Sequence, residues 1–133
     1  MTDISDVRKP KIVVVEDETL IALSVASILD ELGFTVIGPF RSLDQARHGL
    51  SLETCDAALL DIRLGGEAVF PLMDDLIKLQ VPFAFLTGYS ESQLPMAYRE
   101  LPRISKPFYP TELKATLASL IDRSRSDLKE VSR

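Results

Sequence analysis

The sequence has little cysteine and no long apolar run, and each absence excludes a class of protein. Cys55 is the only cysteine among 133 residues, so no intramolecular disulfide can form. No apolar stretch approaches the roughly 20 residues that span a bilayer. The opening segment, MTDISDVRKP, lacks the apolar middle of a secretion signal. We therefore expect a cytoplasmic protein that is not associated with a membrane.

Basic residues are also scarce. Fifteen Lys and Arg stand against 20 Asp and Glu, which gives a formal charge of −5. A nucleic-acid-binding face needs a basic excess, so no nucleic acid is expected as a partner. With 46% hydrophobic residues, the chain is long enough for one domain and too short for two. We predict a single domain over 1–133, with a core at about 10–123 and terminal extensions at 1–9 and 124–133.

Short apolar runs alternate with amphipathic segments along the chain. Strands are predicted at 11–15, 34–38, 56–60, 82–87 and 103–105, and helices at 19–32, 42–50, 69–79 and 111–128. Pro95, in the middle of 90–101, predicts that a fourth helix there is short or broken. This alternation is typical of an α/β fold with a doubly wound, five-stranded parallel sheet, which binds ligands at the carboxyl ends of its strands.

The helical spacing also predicts which side chains face the core. These are Ile21, Val25, Ile28, Leu29 and Leu32 in the first helix, Leu72, Met73, Leu76 and Ile77 in the third, and Leu113, Leu117, Leu120, Ile121 and Leu128 in the last. Cys55 is expected to be buried at a strand start. His48 has no carboxylate or cysteine at ligand spacing and is expected at the surface.

Polar residues stand at the carboxyl ends of four predicted strands, and the fold makes them neighbours. They are Glu16, Asp17 and Glu18 after the first strand, Asp61 after the third, Thr87 at the end of the fourth, and Lys106 with Pro107 after the fifth. Carboxylates brought close together repel each other, and Mg²⁺ relieves this by binding their oxygens. A lysine charge and a threonine hydroxyl suit the oxygens of a phosphoryl group carried by Asp61. This edge of the sheet therefore predicts phosphoryl transfer.

Four separated motifs, IVVVEDE, LLDIRL, FLT and SKPF, resemble in their order the receiver domain of two-component response regulators over residues 10–123. The resemblance implies a flavodoxin-like (βα)5 fold and Mg²⁺ as the cofactor. By position it implies Asp61 as the phosphoacceptor and a metal ligand, Asp17 as a direct metal ligand, Glu16 as a ligand through water, and Arg63 as a ligand through its carbonyl. It further implies Thr87 as the switch hydroxyl and Lys106 as the phosphate-pairing lysine, followed by a cis-proline at Pro107.

The sequence departs from the usual receiver pattern at several positions. Leu64-Gly65 replaces the usual Met-Pro, which predicts a more mobile acceptor loop. Arg103 stands where an aromatic usually rotates on activation, so the signal needs another route. Arg63 and Tyr89 flank the site. The FLTGY motif and the interrupted fourth helix resemble a subgroup of stand-alone receivers, some of them in general stress signalling.

The resemblance implies a signalling receiver without a DNA-binding output domain. Its phosphodonor would be a sensor histidine kinase or a histidine phosphotransfer protein. It would act on an unknown downstream protein or as a phosphate sink. It would catalyse only its own phosphoryl transfer and dephosphorylation, and so would not be a metabolic enzyme.

Other interpretations of the same residues remain open. An Asp-nucleophile phosphatase uses similar groups but needs an Asp-x-Asp pair, whereas Ile62 and Arg63 follow Asp61. A flavin or nucleotide binder needs a Gly-rich or Ser/Thr-rich loop where this chain has EDETL. Taken singly, the first three acids fit the first turn of a helix, Asp61 fits a helix cap, Thr87 fits an ordinary strand residue, and Lys106 fits a solvated surface charge.

Overall fold

The computed structural model describes residues 9–64, 67–87, 101–105 and 108–131. The strands are β1 (Lys11–Val15), β2 (Thr35–Phe40), β3 (Ala57–Asp61), β4 (Arg63–Leu64), β5 (Glu67–Ala68), β6 (Phe83–Thr87) and β7 (Arg103–Ser105). The helices are α1 (Thr19–Glu31), α2 (Leu43–Leu52), α3 (Phe70–Lys78) and α4 (Pro110–Val131). Among the described residues, no helix has the length and apolar character needed to cross a bilayer.

Five strands form one parallel sheet in the order β2-β1-β3-β6-β7. The order reverses direction at β1 and β3, which is the doubly wound flavodoxin-like arrangement. The predicted fold is therefore confirmed. The predicted irregular helix at 90–101 lies outside the described residues.

The core lies in two layers, one on each face of the sheet. Neighbouring residues of β1 and β3 alternate between the layers, because successive side chains in a strand point to opposite faces. Val13 and Leu60 pack with α2 and α3, whereas Val14 and Leu59 pack with α1 and α4. A central strand is therefore apolar on both faces, and its first polar side chain comes where the strand ends.

Local sequence signals mark three of the helix ends. The Ser42 hydroxyl oxygen accepts the Gln45 N–H at 3.1 Å and caps α2. Gly33, at φ +92°, follows α1, as expected for a glycine after a helix. Pro71 lies in the first turn of α3, where its missing N–H removes no helical hydrogen bond.

The structure differs from the predictions in several features. Strand β2 continues through Pro39 to Phe40, because its register with β1 shifts between Val13 and Val15. The short antiparallel pair β4–β5 was not predicted, since two-residue strands carry too little periodicity. Helix α4 reaches Val131, three residues beyond the predicted end. Ile77 is 60% exposed and does not face the core.

Candidate acidic site at the carboxyl ends of the strands

Asp61 is the last residue of β3, the central strand of the sheet. Its Cα pairs in register with Leu86 of β6, and the side chain is 5% exposed. Ile62, which follows, is buried in the core layer beneath α2 and α3, and its carbonyl accepts the Val69 N–H at 3.1 Å. The carboxylate is therefore fixed by regular structure on both sides of its position in the chain.

Glu16 and Asp17 follow β1, which lies next to β3 in the sheet. Glu16 is fully buried, and Asp17 is half-buried. One carboxylate oxygen from each of Glu16, Asp17 and Asp61 lies within 4.8 Å of the others. The structure thus brings together three of the four acids that were predicted to be neighbours, whereas Glu18 is exposed and does not belong to this group.

The acids of the β1–α1 loop precede α1 and are not part of its first turn. The helix begins at Thr19, and its first turn contains no acidic residue. Glu18 is the N-cap residue, but its side chain makes no capping hydrogen bond. Instead, the Glu18 N–H donates to Glu16 Oε2 at 3.1 Å, which turns the Glu16 side chain back along its own loop. This arrangement argues against reading the three acids as an ordinary acidic first turn.

The end of β2 makes two contacts to this loop that the sequence did not predict. The Phe40 carbonyl accepts the Glu16 N–H at 2.9 Å. Arg41 Nη2 donates to the Asp17 carbonyl oxygen at 3.5 Å. Because the second strand was predicted to end at residue 38, Arg41 did not stand at a predicted strand end, whereas in the structure it directly follows β2.

The remaining predicted residues are placed only in part. Arg63 lies in β4, and Thr87 is the last residue of β6, in register with Ser105. Only the backbone of Arg63 and Thr87 is described. Arg103 begins β7 and is half-buried. Tyr89, Lys106 and Pro107 lie outside the described residues. The roles assigned to all of these residues stay predictions.

Two residues with chemically active side chains lie elsewhere. His48 is exposed on α2, as predicted. Cys55 is half-buried and not fully buried as predicted, because it precedes β3 and packs only at the border of the core. Burial, followed by the negative charges of Asp56 and Glu53, raises the pKa of the Cys55 thiol to about 11. Cys55 is therefore a poor nucleophile at neutral pH.

The donor set at the acidic site fits a hard divalent cation. It contains only carboxylate oxygens, two of them from buried residues. Mg²⁺ prefers such oxygens and keeps several water ligands, so it needs only one or two direct carboxylates. The residues that would hold it are Glu16, Asp17 and Asp61. A cation here would offset the mutual repulsion of the three side chains.

Comparison with known proteins gives a consistent result. The family model for the response regulator receiver domain matches residues 12–118 of the sequence. The phyllosphere-induced regulator PhyR of Methylorubrum extorquens is 34% identical over 122 residues, covering 84% of this chain and 43% of the relative. The chain thus spans less than half the length of that curated relative.

Two solved structures are similar throughout most of the chain. The solution structure of SdrG from Sphingomonas melonis Fr1 has a TM-score of 0.76 and 33% identity, covering 85% of this chain and 97% of that one. The structure of the PhyR stress response regulator has a TM-score of 0.74 and 27% identity, covering 86% of this chain and 45% of that one.

Proposed function

Because this chain belongs to the response regulator receiver domain family, we propose that its Asp61 accepts a phosphoryl group from a phosphohistidine. The observation that carries the proposal is the placement of Asp61 within 4.8 Å of the Glu16 and Asp17 carboxylate oxygens, at the carboxyl end of the central strand. A buried acid in that position needs a cation to offset the negative charges of the neighbouring carboxylates. The same cation suits a transferred phosphoryl group.

The proposed reaction moves one phosphoryl group. An oxygen of the Asp61 carboxylate attacks phosphorus while the phosphorus–nitrogen bond of the phosphohistidine breaks. The imidazole leaves with the bonding electron pair, and an aspartyl phosphate remains. A bound Mg²⁺ would supply positive charge to the phosphoryl oxygens in this step. Because Asp61 is fixed in β3, the chain contributes a pre-positioned nucleophile and little motion of its own.

The other site residues take the roles that the family pattern gives their positions. Mg²⁺ would be held by Glu16, Asp17 and Asp61 with the Arg63 carbonyl. The Thr87 hydroxyl would move to a phosphoryl oxygen, and Lys106 would pair with another. Support comes from the backbone of β6, which ends at Thr87 beside β3, and from β7, which ends one residue before Lys106.

We further propose how the phosphorylated chain acts. One receiver domain over 1–133 with a net charge of −5 favours contact with another protein, or draining of phosphate from a relay, over contact with DNA. The donor would be a sensor histidine kinase or a histidine phosphotransfer protein in the cytoplasm. Similarity to the PhyR stress response regulator supports a place in stress signalling.

The test is incubation with Mg²⁺ and acetyl phosphate, followed by intact-mass analysis. Wild type should gain the mass of one phosphoryl group, and Asp61→Asn should gain none. Asp74→Asn, which changes an exposed acid on α3, is the matched control and should be modified like wild type. A phosphoryl group retained by Asp61→Asn would refute the acceptor assignment.

A turnover assay separates the receiver from the alternative, an Asp-nucleophile phosphatase. A receiver takes up one phosphoryl group per chain and releases it slowly. A phosphatase would hydrolyse many equivalents of a substrate such as p-nitrophenyl phosphate. Sustained turnover that depends on Asp61 would favour the phosphatase.

A further inference from the structure

Arg41 lies beside the acidic site, and neither the family pattern nor the proposed reaction assigns it a role. It directly follows β2, and its guanidinium donates to the main-chain carbonyl of Asp17 at 3.5 Å. The side chain is exposed, so the charge faces solvent at the edge of the site. A basic residue is thus held at the loop that carries two of the three clustered acids.

The backbone of Arg41 is fixed on both sides. Before it, the Phe40 carbonyl accepts the Glu16 N–H at 2.9 Å. The Arg41 N–H donates to Gln45 Oε1 at 3.0 Å, and the Gln45 N–H donates to the Ser42 hydroxyl that caps α2. The start of the side chain therefore has a defined position. The end of the side chain reaches the Asp17 carbonyl oxygen, to which it donates.

The charge of Arg41 matters because the site and its donor have the same sign. Three carboxylates converge at the site, in a chain with a net charge of −5. A phosphoryl donor approaches as an anion and is repelled by this field. A guanidinium stays protonated at any physiological pH and can pair with two phosphoryl oxygens at once. A cation at the edge of an acidic cleft raises the local concentration of an anionic ligand.

We propose that Arg41 is a donor-binding residue, which attracts the anionic phosphodonor to the acidic site beside which its guanidinium lies. This proposal rests on the proposed phosphoryl transfer to Asp61. It also has a consequence that does not depend on transfer. A fixed positive charge near the acids opposes a divalent cation, so Arg41 weakens Mg²⁺ binding while it favours the donor.

The experiment compares Arg41→Gln with wild type in two measurements. The first is the rate of phosphorylation against acetyl phosphate concentration, at saturating Mg²⁺ and low ionic strength. Arg41→Gln should raise the half-saturating donor concentration about threefold to tenfold and change the maximal rate by less than about twofold. The second is calorimetric titration with Mg²⁺ alone, in which Arg41→Gln should bind about twofold to threefold more tightly.

Two matched variants identify charge at this position as the cause. Arg41→Lys keeps the charge and should retain most of the donor affinity. Arg47→Gln removes the same charge from α2, where Arg47 pairs with Asp75 of α3 at 2.6 Å, and should leave both measurements near wild type. Raising salt to about 1 M, where screening acts within about 3 Å, should reduce the difference between Arg41→Gln and wild type.

Several results would overturn the proposal. One is a half-saturating donor concentration for Arg41→Gln that equals that of wild type at low salt. Another is an Arg47→Gln variant that changes this concentration as much as Arg41→Gln does. A third is an Arg41→Lys variant that is as impaired as Arg41→Gln. If wild type itself is not phosphorylated, the proposed function fails, and the Mg²⁺ titration still judges Arg41. In that case, a Mg²⁺ affinity that is unchanged by Arg41→Gln would show that the charge of Arg41 does not influence the acidic site.

Discussion

The backbone carbonyl of Phe40 is hydrogen-bonded to the N–H of Glu16 at 2.9 Å, while the Phe40 ring packs against Gly49 of α2. One residue therefore connects a helix of the core layer to the loop that carries two acids. A Cβ added to Gly49 would overlap three atoms of that ring, including Cε2 at 2.8 Å. The absence of a side chain at Gly49 thus allows the close approach of α2 to the end of β2.

The first prediction follows from this contact. Gly49→Ala should lower the free energy of unfolding by about 1 kcal/mol, since overpacking costs about 1–3 kcal/mol and alanine regains about 1 kcal/mol of helix propensity. Urea unfolding measures the change. In a Phe40→Ala background the overlap is gone, so the same substitution should stabilise the protein. Destabilisation of equal size in both backgrounds would show that the ring is not the cause.

The second prediction concerns repulsion among the clustered acids. Asp61→Asn removes one of three close charges at constant volume, so in EDTA it should raise the free energy of unfolding by about 1–2 kcal/mol. With Mg²⁺ present the gain should shrink, because the cation stabilises the wild-type fold by binding it. Urea unfolding under both conditions provides the comparison. A loss of stability in EDTA would contradict a repulsive cluster.

The third prediction concerns the cation itself. Asp17→Asn should weaken Mg²⁺ binding by more than about tenfold, because the half-buried Asp17 carboxylate is one of three candidate donors. Calorimetric titration measures the affinity. Asp30→Asn is the control, since Asp30 is exposed near the opposite end of α1. Equal affinities for wild type and Asp17→Asn would place the cation elsewhere.

The fourth prediction is a pH dependence at Cys55. Its thiol has a pKa raised from 9.0 to about 11, so its thiolate fraction near pH 8 is about a hundredfold below that of an unperturbed thiol. Alkylation by iodoacetamide should therefore be slow near neutral pH and rise steeply toward pH 11. Because the thiol has a higher pKa in the folded chain than in the unfolded chain, the free energy of unfolding should fall as the pH rises from 9 to 11. A rate curve centred near pH 9 would disprove the shift.

The fifth prediction separates two neighbours on α3. Leu76 is fully buried, whereas Ile77 is 60% exposed. Leu76→Ala should cost about 2–5 kcal/mol of stability by leaving a cavity. Ile77→Ala should stay within about 0.5 kcal/mol. Similar losses for both variants in urea unfolding would mean that the buried face of α3 is wider than the structure shows.

The difference between Leu76 and Ile77 also shows a limit of sequence analysis. Helical spacing identifies the centre of an apolar face, and Leu72, Met73 and Leu76 were predicted correctly. The width of that face depends on how closely the neighbouring elements pack against the helix. The spacing of apolar residues carries no information about this packing. For the same reason, Ile21 and Ile28 at the border of the α1 face are only half-buried.

The strands were predictable where the sheet buries them on both faces. β1 has its predicted bounds, and β3 and β6 differ by one residue at their ends. The short edge strand β7 also has its predicted bounds. The edge strand β2 was predicted to end at Gly38, two residues before its observed end at Phe40. Its register shift opposite β1 lets the strand continue through Gly38 and Pro39.

The acidic cluster was predictable because the parallel topology brings strand ends to one edge, whatever their distance in sequence. Arg41 was missed because its importance depends on a side chain reaching across from one loop to another. Such a contact depends on the adjacency of β1 and β2 and on the residue at which α2 begins. Neither of these can be inferred from Arg41 and its immediate neighbours in the sequence.

The position of Asp61 in β3 also determines where a signal can arise. β3 is hydrogen-bonded to β1 on one side and to β6 on the other. Displacing its last residue would break pairing with a neighbouring strand, which is costly in a buried sheet. If Asp61 is modified as proposed, we therefore expect its backbone to stay in place and any change of shape to occur in the segments that approach it.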